Sequence, residues 1–182
     1  MTWTPETSGT EWTEETWLAL EGTSQRIELF DGVLHVSSAA SLSHQRISRQ
    51  LASCFDVGAE AAGLEVLLTI GVRLRPNRIC VPDLVIIGQT DVQVIVPAAA
   101  TRLICEVVSP GNPAADRVMK MHYYAEAAIP WYLLVEQKPE LTLYLLRLES
   151  GSYVEHAVGR RGAPLRVTDP VKVEIDPADI RT

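Results

Sequence analysis

Two acidic residues stand inside otherwise apolar segments of the chain. Asp83 lies between Pro82 and the run Leu-Val-Ile-Ile, and Glu106 follows Leu-Ile-Cys and precedes Val-Val. A carboxylate in such surroundings costs several kcal/mol unless it is paired or binds a metal ion. If neighbouring strands carry them, the two carboxylates converge at one end of a sheet, which suits Mg²⁺ with its preference for carboxylate, water and phosphate oxygens. The pattern predicts a metal site at Asp83 and Glu106.

Each acid taken alone also has a structural interpretation. Asp83 could open a strand as a turn residue after Pro82, and Glu106 could lie near a strand end and pair with Arg102. The two acids together, followed along the chain by Lys120, favour chemistry over structure.

The elements before Asp83 begin with a short helix, which Thr13 caps and Gly22 ends. The extended runs Arg26–Phe30 and Val33–Val36 flank Asp31-Gly32, a strong hairpin signal. A long helix is predicted from Ser41 or Ser43 to about Ala62, with Gly63 ending it.

The remaining elements are mostly apolar runs. Continuous β-branched runs, typical of strands buried on both faces, cover Val66–Leu74, Ile79–Ile87 and Leu103–Val108. A Pro- and Gly-rich loop, a helix, a buried strand, a hairpin and a weakly stranded tail follow; their predicted ranges are Ser109–Pro113, Ala114–Ala128, Trp131–Val135, Leu141–Val158 and Leu165–Ile175. This order predicts an α/β (α+β) mixed sheet with an α-β-β-β-α-β core, flanking helices and an added N-terminal hairpin.

The bulk composition bounds the class of protein. With 182 residues, 47% of them apolar and 21% charged, the chain fits one soluble domain. We expect residues 1–12 to be a loose lead-in, about 26–148 to be the core, and 149–182 to be a closing hairpin and tail. No apolar run is long enough for a membrane helix, and the N-terminus lacks a signal-peptide pattern. The three cysteines lie in apolar runs, which predicts buried, reduced thiols and a cytoplasmic protein.

The order and spacing of several short motifs carry a resemblance to a known family. These motifs are Glu28-Leu-Phe-Asp31-Gly32, Ser43-His44-Gln45, Pro82-Asp83-Leu-Val, Glu106-Val-Val-Ser-Pro110, Asp116, Lys120, Tyr124 and Ile129-Pro-Trp-Tyr-Leu-Leu-Val135. From about Arg26 to Leu148 the chain resembles the Uma-two family of restriction-type endonucleases, a branch of the PD-(D/E)XK nuclease superfamily. The resemblance implies a mixed sheet with the α-β-β-β-α-β core.

The resemblance also implies roles for individual residues. Asp83 and Glu106 would bind a divalent metal ion, Mg²⁺ or Mn²⁺, with help from the backbone carbonyl of Val107. A lysine would position or activate the attacking water and stabilise developing charge. In the superfamily this lysine stands two residues after the glutamate, where this chain has Val108. Lys120 on the following helix fits as its replacement.

Several of these residues keep a second interpretation. Lys120 could be an i,i+4 partner of Asp116 on a solvated helix face. Tyr124, one turn further on, could bond a phosphate or merely pack. His44 begins the long helix and could contact phosphate or the metal's ligands, or cap and pack. Glu28 resembles a family acid and could be a further ligand, although a surface-strand acid is the simpler interpretation.

The resulting hypothesis is metal-assisted hydrolysis of nucleic acid, with DNA as the first candidate. The net charge of −7 weighs against tight non-specific binding to nucleic acid. The densest basic cluster is Arg73, Arg75 and Arg78, which could contact nucleic acid or form a solvated strand face. A homodimer is compatible with cutting both strands of a duplex. Two rival hypotheses stay open: an inactive nuclease-fold binding or regulatory protein, and a metal-dependent hydrolase of a small phosphate ester.

Overall fold

The computed structural model describes residues 11–20, 25–91, 94–108 and 115–182, with side chains described from 118 onward in the last range. The predicted lead-in up to residue 10, the helix end at Gly22 and the loop Ser109–Pro113 lie outside these ranges. Among the described residues, no helix is long and apolar enough to cross a bilayer.

The described residues form three α-helices. They are α1 (Glu14–Leu18), α2 (Leu42–Ala61) and α3 (Met121–Glu126). Thr13 caps α1 and Ser41 caps α2, each through its side-chain oxygen. A π-helical segment, Ala115–Lys120, leads directly into α3, so the helix predicted over Ala114–Ala128 is present from Ala115 to Glu126, with an irregular first half.

The strands follow the predicted order with more breaks. They are β1 (Arg26–Phe30), β2 (Val33–Ser37), β3 (Glu65–Leu68), β4 (Gly71–Arg75), β5 (Arg78–Cys80), β6 (Leu84–Ile87), β7 (Ile95–Pro97), β8 (Thr101–Val107), β9 (Trp131–Glu136), β10 (Thr142–Glu149), β11 (Ser152–Gly159), β12 (Leu165–Val167) and β13 (Val173–Ile175). The hairpin around Asp31-Gly32 is confirmed, with Gly32 at a positive φ of 86°.

Two predicted continuous strands are each divided. The run Val66–Leu74 is broken at Thr69, whose φ of 51° lies in the left-handed region and turns the chain from one sheet to another. The run Ile79–Ile87 is broken around Pro82, since proline cannot donate a ladder hydrogen bond. β7, which the sequence patterns did not predict, pairs in parallel with β4.

The strands form two main sheets and a small ribbon. The strand orders are β2-β1-β5-β4-β7, β11-β10-β9-β8-β6-β3 and β12-β13. β8 and β9 are parallel, whereas the other pairs of the six-stranded sheet are antiparallel. The predicted α-β-β-β-α-β core is therefore α2-β3-β6-β8-α3-β9, with the β4–β5 hairpin inserted after β3.

Both faces of the six-stranded sheet are buried. Leu84 and Ile86 of β6 pack with α2 and the C-terminal ribbon, while Val85 and Ile87 pack with α3 and β4 on the opposite face. This arrangement explains the continuous apolar runs. α2 lies so close to the tail that a Cβ added at Gly58 would stand 2.9 Å from the backbone oxygen of Lys172. The C-terminal tail, which includes β12 and β13, thus packs against α2 as part of the core.

Candidate active site

Strand register brings Asp83 and Glu106 together. Leu84 of β6 pairs with Cys105 of β8 in an antiparallel ladder, so the preceding and following residues, Asp83 and Glu106, meet at the same sheet edge. Both side chains are buried. Asp83 Oδ2 accepts a 2.7 Å hydrogen bond from the backbone N–H of Val107, which ties one acid to the strand that carries the other. Convergence, the premise of the metal-site prediction, is therefore present.

Glu28 on β1 is a third buried acid of the same cluster. Its side chain is only 3% exposed, so the interpretation as a surface-strand acid is wrong. Glu28 Oε1 accepts a 2.9 Å hydrogen bond from the backbone N–H of Val81, in the break between β5 and β6. The five-stranded sheet thereby contributes a carboxylate to a site built mainly on the other sheet.

Lys120 projects from the end of the π-helical segment into this cluster. Its Nζ lies 2.9 Å from Glu28 Oε1 and 3.1 Å from Glu106 Oε1, and its side chain is 5% exposed. The interpretation of Lys120 as a residue on a solvated helix face is therefore wrong. The side chain of Asp116 lies outside the described part of the chain. An ammonium group between two carboxylates is held in place by charge-assisted hydrogen bonds.

Tyr124 lies one turn beyond Lys120 and fixes Glu106 from the core side. Its hydroxyl donates a 2.5 Å hydrogen bond to Glu106 Oε1, and the ring is fully buried against Tyr132. Burial, together with the negative charge of Glu106, raises the pKa of Tyr124 well above its usual value. The phenol is therefore a stable donor to the carboxylate, and its burial does not suit direct contact with a phosphate.

His44 in the first turn of α2 is a further member of the cluster. Its Nε2 lies 2.9 Å from Asp83 Oδ1. Ser41, the N-cap of α2, holds the backbone N–H of His44 at 3.2 Å. The long helix is thus anchored so that its first turn faces the acids. Of the two interpretations left open for His44, contact with a candidate metal ligand agrees with this position.

Arg26 is the residue that sequence reasoning missed. Its Nη1 donates to Asp83 Oδ1 at 2.6 Å and its Nη2 to Glu106 Oε2 at 3.0 Å, so one guanidinium bridges the two candidate metal ligands. The available signal was the alternation of β1, which puts Arg26 and Glu28 on one face. An arginine at the start of a hairpin strand more often belongs to a solvated face, so this signal is weak.

Charged and hydrogen-bonding neighbours within the cluster lower the pKa of Asp83 and raise the pKa of Arg26. Burial alone would raise the pKa of Asp83, but the hydrogen bond from His44, the charge of Arg26 and the N–H of Val107 bring it below its ordinary value. Burial also opposes the charged form of Arg26, yet Glu106, Asp83 and Glu28 hold its pKa well above the usual range. Asp83 is thus ionised and Arg26 charged at neutral pH.

The acids form the floor of a cleft of about 750 Å³. Its walls come from β1, β2, the start of α2 and the π-helical segment. Basic or ionisable side chains facing it include Arg26, Lys120, His35, His44 and, at an exposed position, Arg49. The cleft gives solvent and ligands a route to an otherwise buried cluster.

The donor set fits a hard divalent cation. Asp83 and Glu106 already direct one oxygen each at a single positive group, the Arg26 guanidinium, and carboxylate oxygens are what Mg²⁺ and Mn²⁺ take. Among the described residues, no group of three or more His, Cys, Asp or Glu side chains is arranged to hold a metal. The carboxylates of Asp83 and Glu106 therefore fit a metal ion in their chemistry, provided that Arg26, which bonds both of them, moves aside.

The basic cluster predicted to contact nucleic acid lies apart from this cleft. Arg78 is buried: its guanidinium bonds both oxygens of Asp31 and Glu126 Oε2, and stacks over Tyr123 at 3.8 Å. Such a saturated group does not suit a phosphate contact, so this part of the prediction is wrong. Arg73 pairs with Glu14 and Arg75 pairs with Asp31. For Arg73 and Arg75, both partly exposed, nucleic-acid contact stays a prediction.

Comparison with known families identifies the family of the chain. A family model named Uma2 and described as "Putative restriction endonuclease" matches residues 14–178. The match spans nearly the whole chain.

The chain belongs to the Uma2 family.

A solved structure supports the same fold. It is described as a "putative nuclease belonging to DUF820" from Anabaena variabilis, and it superposes with a TM-score of 0.74 over 93% of this chain and 97% of that one, at 14% identity. A comparison with curated proteins gives no significant match. The fold of this Uma2 protein is therefore restriction-endonuclease-like, as the α-β-β-β-α-β core predicts.

Within the Uma2 chain, Lys120 stands near the acids although Val108 occupies the position where the superfamily lysine is expected. Val108 is buried in the apolar layer with Tyr124. Lys120 Nζ donates to Glu106 Oε1 at 3.1 Å, so the ammonium reaches the glutamate across 14 residues of chain. This placement meets the condition on which the lysine replacement depends.

Proposed function

We propose that this protein is a metal-dependent endonuclease that hydrolyses nucleic-acid phosphodiester bonds, with DNA as the first substrate to test. The observation that carries the proposal is the convergence of Asp83, Glu106 and Lys120 at the floor of one cleft. Family membership supports a nuclease; the metal and the substrate are part of the proposal.

Asp83 and Glu106 would hold Mg²⁺ or Mn²⁺, and the backbone carbonyl of Val107 is a third candidate ligand. A divalent ion bound there supplies Lewis acidity at a phosphoryl oxygen and lowers the pKa of bound water. The hydrogen bonds from Val107 N–H and from Tyr124 orient the two carboxylates before any ligand arrives. Such preorganisation avoids the cost of arranging the ligands during the reaction.

Lys120 would provide positive charge where negative charge develops on the phosphate. Its ammonium is anchored by Glu28 and Glu106, so it cannot swing away from the acids. Glu28 thus acts in this proposal as the residue that positions Lys120. His44 contacts Asp83 and would steady it. In this scheme water is the nucleophile and no covalent enzyme intermediate forms.

A cleavage assay on closed circular plasmid tests the proposal, because a closed circle offers no end and only an endonuclease nicks it. We expect conversion to nicked or linear DNA with Mg²⁺ or Mn²⁺, and a loss of about 100-fold or more in Asp83→Asn and Glu106→Gln. Each of these variants weakens the hold on the metal ion that would stabilise developing charge, and losing one such stabilising group costs about that much. Glu155→Gln, a change at an exposed acid of β11, is the matched control and should cleave like the wild type.

Substrate preference follows from parallel assays with labelled single-stranded and duplex DNA and RNA. Turnover of a small phosphodiester with no cleavage of any nucleic acid would favour the small-ester hydrolase. No turnover of either, with metal bound, would favour the inactive nuclease-fold protein. Light scattering of the purified protein would test the proposed homodimer.

A further inference from the structure

Arg26 occupies the place between the two acids to which the proposed function assigns a metal ion. Nη1 lies 2.6 Å from Asp83 Oδ1, and Nη2 lies 3.0 Å from Glu106 Oε2 and 3.9 Å from Glu28 Oε1. A single planar cation therefore holds the carboxylates together. Without a cation there, three buried acids would face one another with Lys120 as the fixed compensating charge.

The charges of the cluster favour exchange of Arg26 for a divalent ion. Glu28, Asp83 and Glu106 carry three negative charges, and Arg26 and Lys120 carry two positive charges, so the set is one charge negative when His44 is neutral. Replacing the singly charged guanidinium by a doubly charged ion would make the set neutral. Adding the ion beside Arg26 would instead place two cations on the same carboxylates, which repel strongly at such distances.

The surroundings of Arg26 are compatible with movement. The residue lies in the wall between the acidic cleft and a second pocket of about 480 Å³, whose lining includes Trp17, Leu20 and Thr69. Its Nε is buried and makes no hydrogen bond among the described residues. The bridging position thus leaves one polar group unsatisfied, which raises its cost, while the adjoining pocket offers volume for a withdrawn side chain.

We propose that Arg26 is the internal cation of the metal-free site and that it withdraws from Asp83 and Glu106 when a divalent ion binds. Arg26 thereby keeps the acid cluster folded without metal and weakens metal binding by competing for the same oxygens. This inference rests on the proposed function, since it requires that the acids bind metal.

Calorimetric titration of Mn²⁺ into wild-type protein and into Arg26→Gln tests the competition. We expect the variant to bind at least about tenfold more tightly, because breaking a buried bridging ion pair is a large effect. Arg78→Gln is the matched control: Arg78 is likewise buried and bridges two acids, but lies outside the acidic cleft. Its Mn²⁺ affinity should equal that of the wild type. Equal or weaker binding by Arg26→Gln would overturn the inference and leave the metal site standing.

Thermal melting provides a second readout. Arg26→Gln should melt lower than the wild type in EDTA, and Mn²⁺ should raise its melting temperature by more, since stabilisation grows with affinity for the folded state. If Arg26→Gln fails to fold, Arg26→Lys replaces it in the test. A lysine keeps the positive charge but cannot bridge both acids as a fork, so the Arg26→Lys protein should bind Mn²⁺ more tightly than the wild type.

Arginine labelling by phenylglyoxal tests the movement in the unaltered protein. Peptide mass spectrometry should show modification at Arg26 increasing several-fold on addition of Mn²⁺, while Arg78 stays constant. Mn²⁺ binding without any change in Arg26 labelling would overturn the withdrawal. Absence of Mn²⁺ binding in both the wild type and Arg26→Gln would overturn this inference together with the metal part of the proposed function.

Discussion

Replacing Lys120 by methionine removes one of the two cations of the acid cluster, Lys120 and Arg26, while keeping a side chain of similar length. The ammonium lies 2.9 Å from Glu28 and 3.1 Å from Glu106, with only 5% of the side chain exposed. Removing one partner of a buried ion pair costs about 3–5 kcal/mol, because the other charge stays buried. Since Arg26 still lies 3.0 Å from Glu106, we expect the lower end of that range.

Denaturation in EDTA measures this effect without interference from metal. For a domain of this size, 1 kcal/mol shifts the melting temperature by about 2–4 °C, so Lys120→Met should melt roughly 6–12 °C lower than the wild type. Urea denaturation should give the same loss as a lower midpoint with an unchanged slope.

The partner variant Glu28→Gln separates the ion pair from other effects of the substitution. A glutamine oxygen can still accept the N–H of Val81, so this change removes charge with little loss of hydrogen bonding. In the double variant the two losses should be less than additive, by about 1–3 kcal/mol for residues in direct contact.

A small effect of Lys120→Met on stability would refute the buried position of Lys120. If Lys120→Met costs less than about 0.5 kcal/mol, the lysine behaves as a solvated i,i+4 partner on a helix surface. Additive losses in the double variant would likewise contradict the contact between Lys120 and Glu28. Either result would remove the basis for giving Lys120 a place in the active site.

Three further predictions follow from the site. Tyr124→Phe should cost about 1.5–3 kcal/mol in urea denaturation, the scale for a hydrogen bond to a charged group, here Glu106. The pKa of Asp83 in the folded protein lies below its ordinary value, so the stabilisation from its carboxylate is present above about pH 4 and is lost as pH falls through the folded pKa. The melting temperature of the wild type should therefore fall more steeply in acid than that of Asp83→Asn. Parallel dependences of the two melting temperatures on pH would contradict the shift. Arg49→Gln should weaken nucleic-acid binding in a fluorescence titration and lower the salt slope by about one, because Arg49 lines the acidic cleft. A loss in Arg75→Gln with none in Arg49→Gln would move the contact surface to the predicted basic cluster.

Several parts of the fold could be predicted because local sequence signals determine them. Asp31-Gly32 requires a tight turn, Ser41 caps the long helix, and the apolar runs that form β6 and β8 reflect burial on both faces. These signals depend on neighbours within a few residues. They gave the order of the core elements and, through strand pairing, the convergence of Asp83 and Glu106.

The strand breaks could not be predicted because tertiary structure imposes them. Thr69 adopts a left-handed conformation that a β-branched residue avoids on local grounds, and it does so where the chain passes between sheets. β7 is short, and its pairing with β4 is non-local. Neither feature leaves a periodic signal in the sequence.

The composition of the acid cluster was only partly predictable for the same reason. Glu28 and Arg26 belong to β1, which lies in the other sheet, and no spacing along the chain indicates that they reach β6 and β8. Lys120 meets Glu106 across 14 residues of chain, a contact that no local pattern indicates. A sequence pattern identifies which residue types could do the chemistry, whereas the packing of two sheets and a helix decides which of them meet.

The central claim is that Asp83 and Glu106 bind a divalent metal ion. Titration of Mn²⁺ by calorimetry at neutral pH into the wild type and Asp83→Ala tests it most directly. The account predicts saturable binding in the wild type and its loss in the variant. No binding by either the wild type or Arg26→Gln at millimolar Mn²⁺, or equal binding by Asp83→Ala and the wild type, would contradict it.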